Sequence, residues 1–200
     1  MQSVGRFVPQ KDKPRCAEYV RRTMPDPRAV SVNRAIFLDR DGTLIEDSGY
    51  LFRPDDMVVL PNVVEALALL RRAGFRLIVV TNQSGVARGL YTEDDIDAVH
   101  AELVRRLGAF DALYHCPHHE AGTEAPYAIA CRCRKPGPEM VERGIAAFDL
   151  DPAACHIVGD RDSDLEAGAA VGVRGWKVRS GPSGEGDWDD LLAVAREVTR

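Results

Sequence analysis

The 200-residue sequence predicts a doubly wound α/β fold built on a parallel sheet. Three observations carry this. Short apolar runs at 35–38 (AIFL), 75–80 (FRLIVV) and 155–158 (CHIV) have the length and composition of strands buried on both faces. Segments with apolar residues at helical spacing separate them, at 63–70, 96–107 and 140–148. Each run ends in a polar cluster, and the carboxyl ends of strands in an open α/β sheet are where ligands bind.

Composition bounds the rest. A hydrophobic fraction of 45% and a charged fraction of 28% are those of an ordinary soluble domain. No apolar run approaches the length of a membrane span, and the N-terminus lacks a secretory pattern. A cytoplasmic protein with no membrane partner is therefore expected. The net charge of −5 argues against nucleic acid as a partner. The cysteines (Cys16, Cys116, Cys131, Cys133 and Cys155) are odd in number with three clustered, which points to metal binding in a reducing compartment.

Residues 1–33 are set apart as an N-terminal extension, with 34–200 as the domain proper. The extension carries four prolines and a charge of +4, leaving −9 on the remainder. It is expected to be loosely docked, with one short helix possible within 15–24. A monomer is expected, the arm being the candidate contact to a second subunit.

The first strand, Ala35 to Leu38, runs into Asp39-Arg40-Asp41-Gly42-Thr43. Two carboxylates at the end of a buried strand are costly to place there without a use. A polar loop with Asp47 and Tyr50 follows, then a weak strand, Met57 to Leu60, and a helix opened by Pro61 and stopped by Gly74. The second strand, Phe75 to Val80, leads into Thr81-Asn82-Gln83-Ser84-Gly85. Thr92 caps the next helix, whose stripe is Ile96, Val99, Leu103 and Leu107, with His100 on its surface. A third strand is expected over Phe110 to His115.

Cys116, His118, Cys131 and Cys133 can supply three thiolates and an imidazole, a closed tetrahedral set typical of structural Zn²⁺. Spacing alone does not choose between His118 and His119. Such a clip would shape the 117–130 loop, which has little apolar content of its own. Arg134 and Lys135 follow directly. A helix over Pro138 to Phe148, a fourth strand over Cys155 to Val158, a helix over Leu165 to Val171 and a fifth strand over Val173 to Val178 complete the alternation. A flexible loop at 181–186 and a helix from Asp187-Trp188 end the chain.

The pattern DxDGT after an apolar strand, with a hydroxyl residue, a lysine and an acid at later strand ends, resembles the haloacid dehalogenase superfamily of phosphohydrolases. The string TNQSGVARG and the cysteine–histidine cluster are similar to the branch that holds heptose bisphosphate and histidinol phosphate phosphatases. The resemblance implies Asp39 as nucleophile, Asp41 as general acid/base, and Thr81 and Lys135 at the transferring phosphoryl group. It implies Mg²⁺ held by Asp39, Asp41 through its backbone carbonyl, and Asp160. Asp162 and Asp164 are assigned to capping the next helix or orienting the metal ligands. Zn²⁺ is implied at Cys116, His118, Cys131 and Cys133, with His118 chosen over His119. Asp47, Tyr50, Asn82, Gln83, Ser84, Arg134 and Arg161 are implied to contact substrate, a small phosphorylated sugar. The heptose bisphosphate, losing its 7-phosphate, is favoured over histidinol phosphate because no dehydratase domain accompanies the chain. About 40 residues separate the first two motifs and about 50 the next two, leaving no space for a large cap domain. A zinc-stabilised binding module without catalysis is the alternative of another class, and the intact Asp39, Asp41, Thr81, Lys135 and Asp160 count against it.

Overall fold

The computed structural model describes residues 18–20, 33–180 and 185–200. A six-stranded sheet has the order β1-β4-β3-β2-β5-β6, with β1 Glu18–Val20, β2 Ala35–Leu38, β3 Arg76–Asn82, β4 Ala112–Cys116, β5 His156–Gly159 and β6 Arg174–Lys177. The five strands β2 to β6 run parallel, and β1 pairs antiparallel with β4. Helices α1 (Val63–Arg72), α2 (Glu93–Leu107), α3 (Glu139–Phe148), α4 (Asp162–Ala169) and α5 (Leu191–Val198) complete the fold.

Strand residues alternate between two cores. Ile36, Leu38, Leu77 and Val79 face α1, α2 and α5, where Leu67, Leu103 and Leu192 meet them. Ala35, Phe37, Ile78 and Val80 face the other side, where α3 and α4 contribute Met140, Val141 and Ala167. Each buried Leu, Ile or Phe side chain stabilises by about 1.5–3 kcal/mol, so the two-sided burial holds the strand ends rigidly. From β2 the chain winds one way through β3 and β4, then returns to place β5 and β6 on the opposite side of β2. The sheet's switch point is therefore between β2 and β5, where a crevice opens at the carboxyl ends.

Several expectations need correction. Residues 18–20, within the stretch of a loosely docked extension where a short helix is possible, form the edge strand, because β4 otherwise presents unpaired backbone groups. The expected flexible loop begins at 181–184, outside the described residues. Met57 to Leu60 is no strand: only Val59 bridges Ile45. The helix expected at Pro61 begins at Val63, because Asn62 (φ 64°) turns the chain through the left-handed region. Within the apolar 63–70 segment, Val64 does not join the core and is 61% exposed. β3 extends through Asn82, and β4 starts at Ala112, since the Asp111 carboxylate instead accepts the Leu77 N–H at 2.9 Å. α4 begins at Asp162, three residues early, because Asp164 accepts the Arg161 N–H at 3.1 Å. Trp188 packs edge-on against Trp176, 5.1 Å between centroids, and leaves the last helix to start after Asp190. His100 is buried, its ring 5.5 Å from that of His115.

Candidate active site

β2 delivers Asp39 to the switch point, where its N–H donates to Val158 of β5 at 2.9 Å. Its buried Oδ1 accepts from Lys135 Nζ at 2.5 Å. The same ammonium donates to Val80 O at 2.7 Å and pairs with Asp164 Oδ1 at 2.6 Å. Three acceptors thus fill the three donors of a buried lysine. Burial opposes the charge on Lys135, but Asp39 and Asp164 together outweigh it and raise its pKa.

Asp39, Asp160 and Asp164 can each bring one carboxylate oxygen within 4.8 Å of the others, a group able to hold a metal ion. The chemistry of the set fits a hard divalent cation. Asp160 Oδ1 is buried with no hydrogen-bond partner. Burial, then repulsion from Asp164, raises the Asp160 pKa. Burial pushes Asp39 up to about 8, against the pull of Lys135 and with Asp164 and Asp41 adding to the rise. Carboxylates so destabilised lack a positive charge that a metal supplies. Gly42 makes this crowding possible: its φ is +84°, and a Cβ there would overlap the Asp160 carboxylate.

Asp41 points away from this cluster. Arg40, 1% exposed, donates Nε to both of its oxygens at 3.1 and 3.2 Å and Nη2 to Oδ1 at 3.0 Å. Gln83 Nε2 donates to Asp41 Oδ2 at 2.8 Å and to Thr81 Oγ1 at 2.9 Å. Both amide hydrogens of Gln83 are therefore engaged inside the protein, and none is left to offer a substrate. Asn82 is committed likewise: its side chain accepts Lys135 N–H and donates to Lys135 O, both at 3.0 Å, clamping the segment that carries the lysine.

A crevice of about 560 Å³ lies in front, lined by Asp39, Asp41, Thr81 and Lys135. Asp47 and Arg161 form an ion pair of 2.7 Å at its edge, and Tyr50 and Ser84 also line it. Arg134 lines it with a buried Nη1 that has no hydrogen-bond partner. The crevice lining thus gathers the predicted site residues except Asp160, which lies with Asp39 and Asp164, and the cysteine cluster, whose last member immediately precedes Arg134 in the chain.

In that cluster Cys131 Sγ lies 3.0 Å from Cys133 Sγ and 3.4 Å from Cys116 Sγ, and His118 Nδ1 is 3.3 Å from Cys133 Sγ. The four form a second group able to hold a metal. His119 lies outside this group; its Nδ1 accepts the Ala121 N–H at 3.1 Å and its Nε2 lies 3.4 Å from Arg88 Nη2. Burial and the adjacent Cys131 push the Cys116 thiol above its ordinary value. The 117–130 loop has further support: Tyr127 packs on Val86, Tyr91 and Ile96, and its hydroxyl donates to Glu93 at 2.7 Å.

Sequence reasoning missed two contributions. Asp164 was assigned to a helix cap or to orienting ligands; it caps and also pairs with Lys135 beside Asp39. In GDRDSD its spacing signals a cap, and nothing local signals the lysine. Arg40 had no assigned role, and only the fold shows it against Asp41.

A family model described as HAD-hydrolase-like matches residues 132–198. The D-glycero-beta-D-manno-heptose-1,7-bisphosphate 7-phosphatase of Yersinia pestis is 40% identical over 143 residues, 70% of this chain and 76% of that protein. The D-glycero-alpha-D-manno-heptose-1,7-bisphosphate 7-phosphatase of Burkholderia mallei (strain ATCC 23344) is 39% identical over 145 residues, 70% of this chain and 77% of that protein. The crystal structure of D,D-heptose 1,7-bisphosphate phosphatase from B. bronchiseptica, complexed with magnesium and phosphate, superposes with a TM-score of 0.71 at 34% identity, covering 82% of this chain and 97% of that one. With the strand-end carboxylates, the lysine and the cysteine cluster in these positions, the chain belongs to the haloacid dehalogenase-like phosphatases, phosphoric monoester hydrolases, in the branch of the heptose bisphosphate phosphatases.

Proposed function

We propose that the protein is a Mg²⁺-dependent phosphomonoesterase that works through an aspartyl-phosphate and removes the 7-phosphate of D-glycero-D-manno-heptose 1,7-bisphosphate. The observation that carries this reading is the division of labour among carboxylates. Asp39, Asp160 and Asp164 gather beside Lys135, while Asp41 is held apart by Arg40 and Gln83. One group suits a nucleophile with a metal, the other a proton carrier. The names of relatives about 40% identical support the heptose substrate.

Asp39, Asp160 and Asp164, with the Asp41 carbonyl, would hold Mg²⁺, which neutralises phosphate charge so that an anionic nucleophile can approach. An Asp39 carboxylate oxygen attacks phosphorus, the P–O bond to the sugar breaks, and Asp41 gives its proton to the departing alkoxide. Water then attacks the aspartyl-phosphate, Asp41 takes its proton back, and phosphate leaves. Lys135, its three donors taken by Asp39, Asp164 and the Val80 carbonyl, holds the nucleophile and offsets negative charge between it and the phosphate, while the Thr81 hydroxyl can exchange its long 3.4 Å bond to Asp41 for a phosphoryl oxygen. Arg134, with its unpartnered Nη1, is placed for a second phosphate or a sugar hydroxyl, and Arg161, Asp47, Tyr50 and Ser84 border the sugar.

Comparing kcat/KM on both anomers of the heptose bisphosphate and on histidinol phosphate tests the substrate. The expected result is at least a hundredfold preference for one heptose anomer. A preference for histidinol phosphate would reassign the enzyme within its branch, and slow turnover of all three would reject both substrates.

Zn²⁺ at Cys116, His118, Cys131 and Cys133 is proposed to be structural, since four protein ligands leave no position for water. A Cys116→Ser variant is expected to lose its zinc, measured by metal analysis. Its Tm is expected to fall by roughly 5–10 °C, the effect of losing about 2–3 kcal/mol in a chain of this size. Because Arg134 and Lys135 directly follow the last cysteine, KM is expected to rise as well.

A further inference from the structure

We propose that Tyr91 is a positioning residue for the general acid, acting through Gln83 to set the orientation of the Asp41 carboxyl group. This rests on the reading of Asp41 as the proton donor to the leaving oxygen. Tyr91 lies ten residues beyond Thr81 and is assigned no role by the sequence motifs. Its hydroxyl donates to Gln83 Oε1 at 2.8 Å, deep in the protein, where Gln83 is 3% and Tyr91 7% exposed.

The direction of this bond decides the geometry beyond it. A glutamine amide can present either its oxygen or its NH₂ to a neighbour. With Oε1 occupied by the tyrosine hydroxyl, the NH₂ end must face the site, donating to Asp41 Oδ2 at 2.8 Å and Thr81 Oγ1 at 2.9 Å. Turned the other way, the amide oxygen would confront a carboxylate. The tyrosine is itself held in place, its ring stacked 6.1 Å from that of Phe52 and packed against Val86 and Ile96. Burial raises its pKa to about 12, so it stays a donor at any working pH. Gly85 is glycine for this reason: a Cβ there would overlap the Tyr91 ring. Arg40 grips the other side of Asp41, so the carboxyl group is held between a guanidinium and a neutral amide whose orientation Tyr91 determines.

A general acid matters most when the leaving group is poor. An alkoxide needs its proton, whereas nitrophenolate departs without one. The test measures single-turnover release of alcohol from the heptose bisphosphate and of nitrophenol from 4-nitrophenyl phosphate, with Mg²⁺ and zinc-replete protein. For Tyr91→Phe, which keeps the ring, sugar release is expected to slow about tenfold, nitrophenol release to change less than twofold, and KM to change less than twofold. Gln83→Met, which removes the links to Tyr91 and Asp41 and also the bond to Thr81 Oγ1, is expected to slow sugar release at least as much, and nitrophenol release by a smaller factor. Equal slowing of both esters, or no slowing, in both variants overturns the proposal. Asp41→Asn separates the underlying reading. A steep leaving-group dependence there with none in the other variants rejects only the role of Tyr91. Equal loss on both esters in Asp41→Asn rejects the general-acid reading and this inference with it.

Discussion

An Asp39→Asn variant is expected to release phosphate from the heptose bisphosphate roughly 10⁴-fold more slowly than the wild type, or not measurably, while folding normally. Asparagine has the volume of aspartate but no nucleophilic carboxylate, so the aspartyl-phosphate has no place to form. The stability of the metal-free protein depends on pH through the same residue. Burial raises the folded Asp39 pKa from 3.8 to about 8, so between those values the unfolded chain has given up a proton that the folded site keeps. The folded state then binds more protons than the unfolded one, and wild-type stability falls as pH rises through that window. The variant lacks this contribution, so its Tm in chelator is expected to change less between pH 5 and pH 7 than that of the wild type. Phosphate release under saturating Mg²⁺, and thermal melts in chelator at pH 5 and pH 7, check both halves. Undiminished turnover would remove Asp39 from the nucleophile's role.

Lys135→Met is expected to be the most damaging single substitution among the polar residues of the site. Lys135 is 4% exposed, and its ammonium contacts Asp39, Asp164 and the Val80 carbonyl at 2.5, 2.6 and 2.7 Å. Methionine fills the volume but leaves two carboxylates and a carbonyl without their donor. Removing one member of a buried ion pair costs about 3–5 kcal/mol, which in a chain of this size lowers Tm by roughly 10–15 °C. The loss is expected to shrink at pH 5, where Asp39, whose pKa burial already raises, can take up a proton and become neutral. Melts of variant and wild type at pH 5 and pH 8 measure this. A variant as stable as the wild type at pH 8 would mean that the network contributes nothing net. Activity is expected to be lost at both pH values, since no cation remains between the nucleophile and the phosphoryl group.

The strands were legible where they are buried on both faces, because an apolar run such as Ala35 to Leu38 needs no partner's identity to be recognised. Boundaries were less so. α4 starts early because Asp164 reaches back to a backbone N–H, and α5 starts late because Trp188 is taken by Trp176. Residues 18–20 read by themselves as part of an extension with a short helix possible, and only the open edge of β4 makes them a strand. His100 looked like a surface histidine, although the ring of His115, on a distant strand, lies against it.

For the site, the residue types and their order along the chain already determined the chemistry available: carboxylates, a hydroxyl, a lysine at strand ends, and three thiolates with an imidazole. Tertiary structure alone decided how they are shared out. It put Asp164 on Lys135, turned the amides of Asn82 and Gln83 inward, and set Arg40 and Tyr91 behind Asp41. The reason is physical: a motif is a local pattern within a few residues, whereas orientation of a side chain is set by hydrogen bonds between groups that lie close only after the sheet has formed.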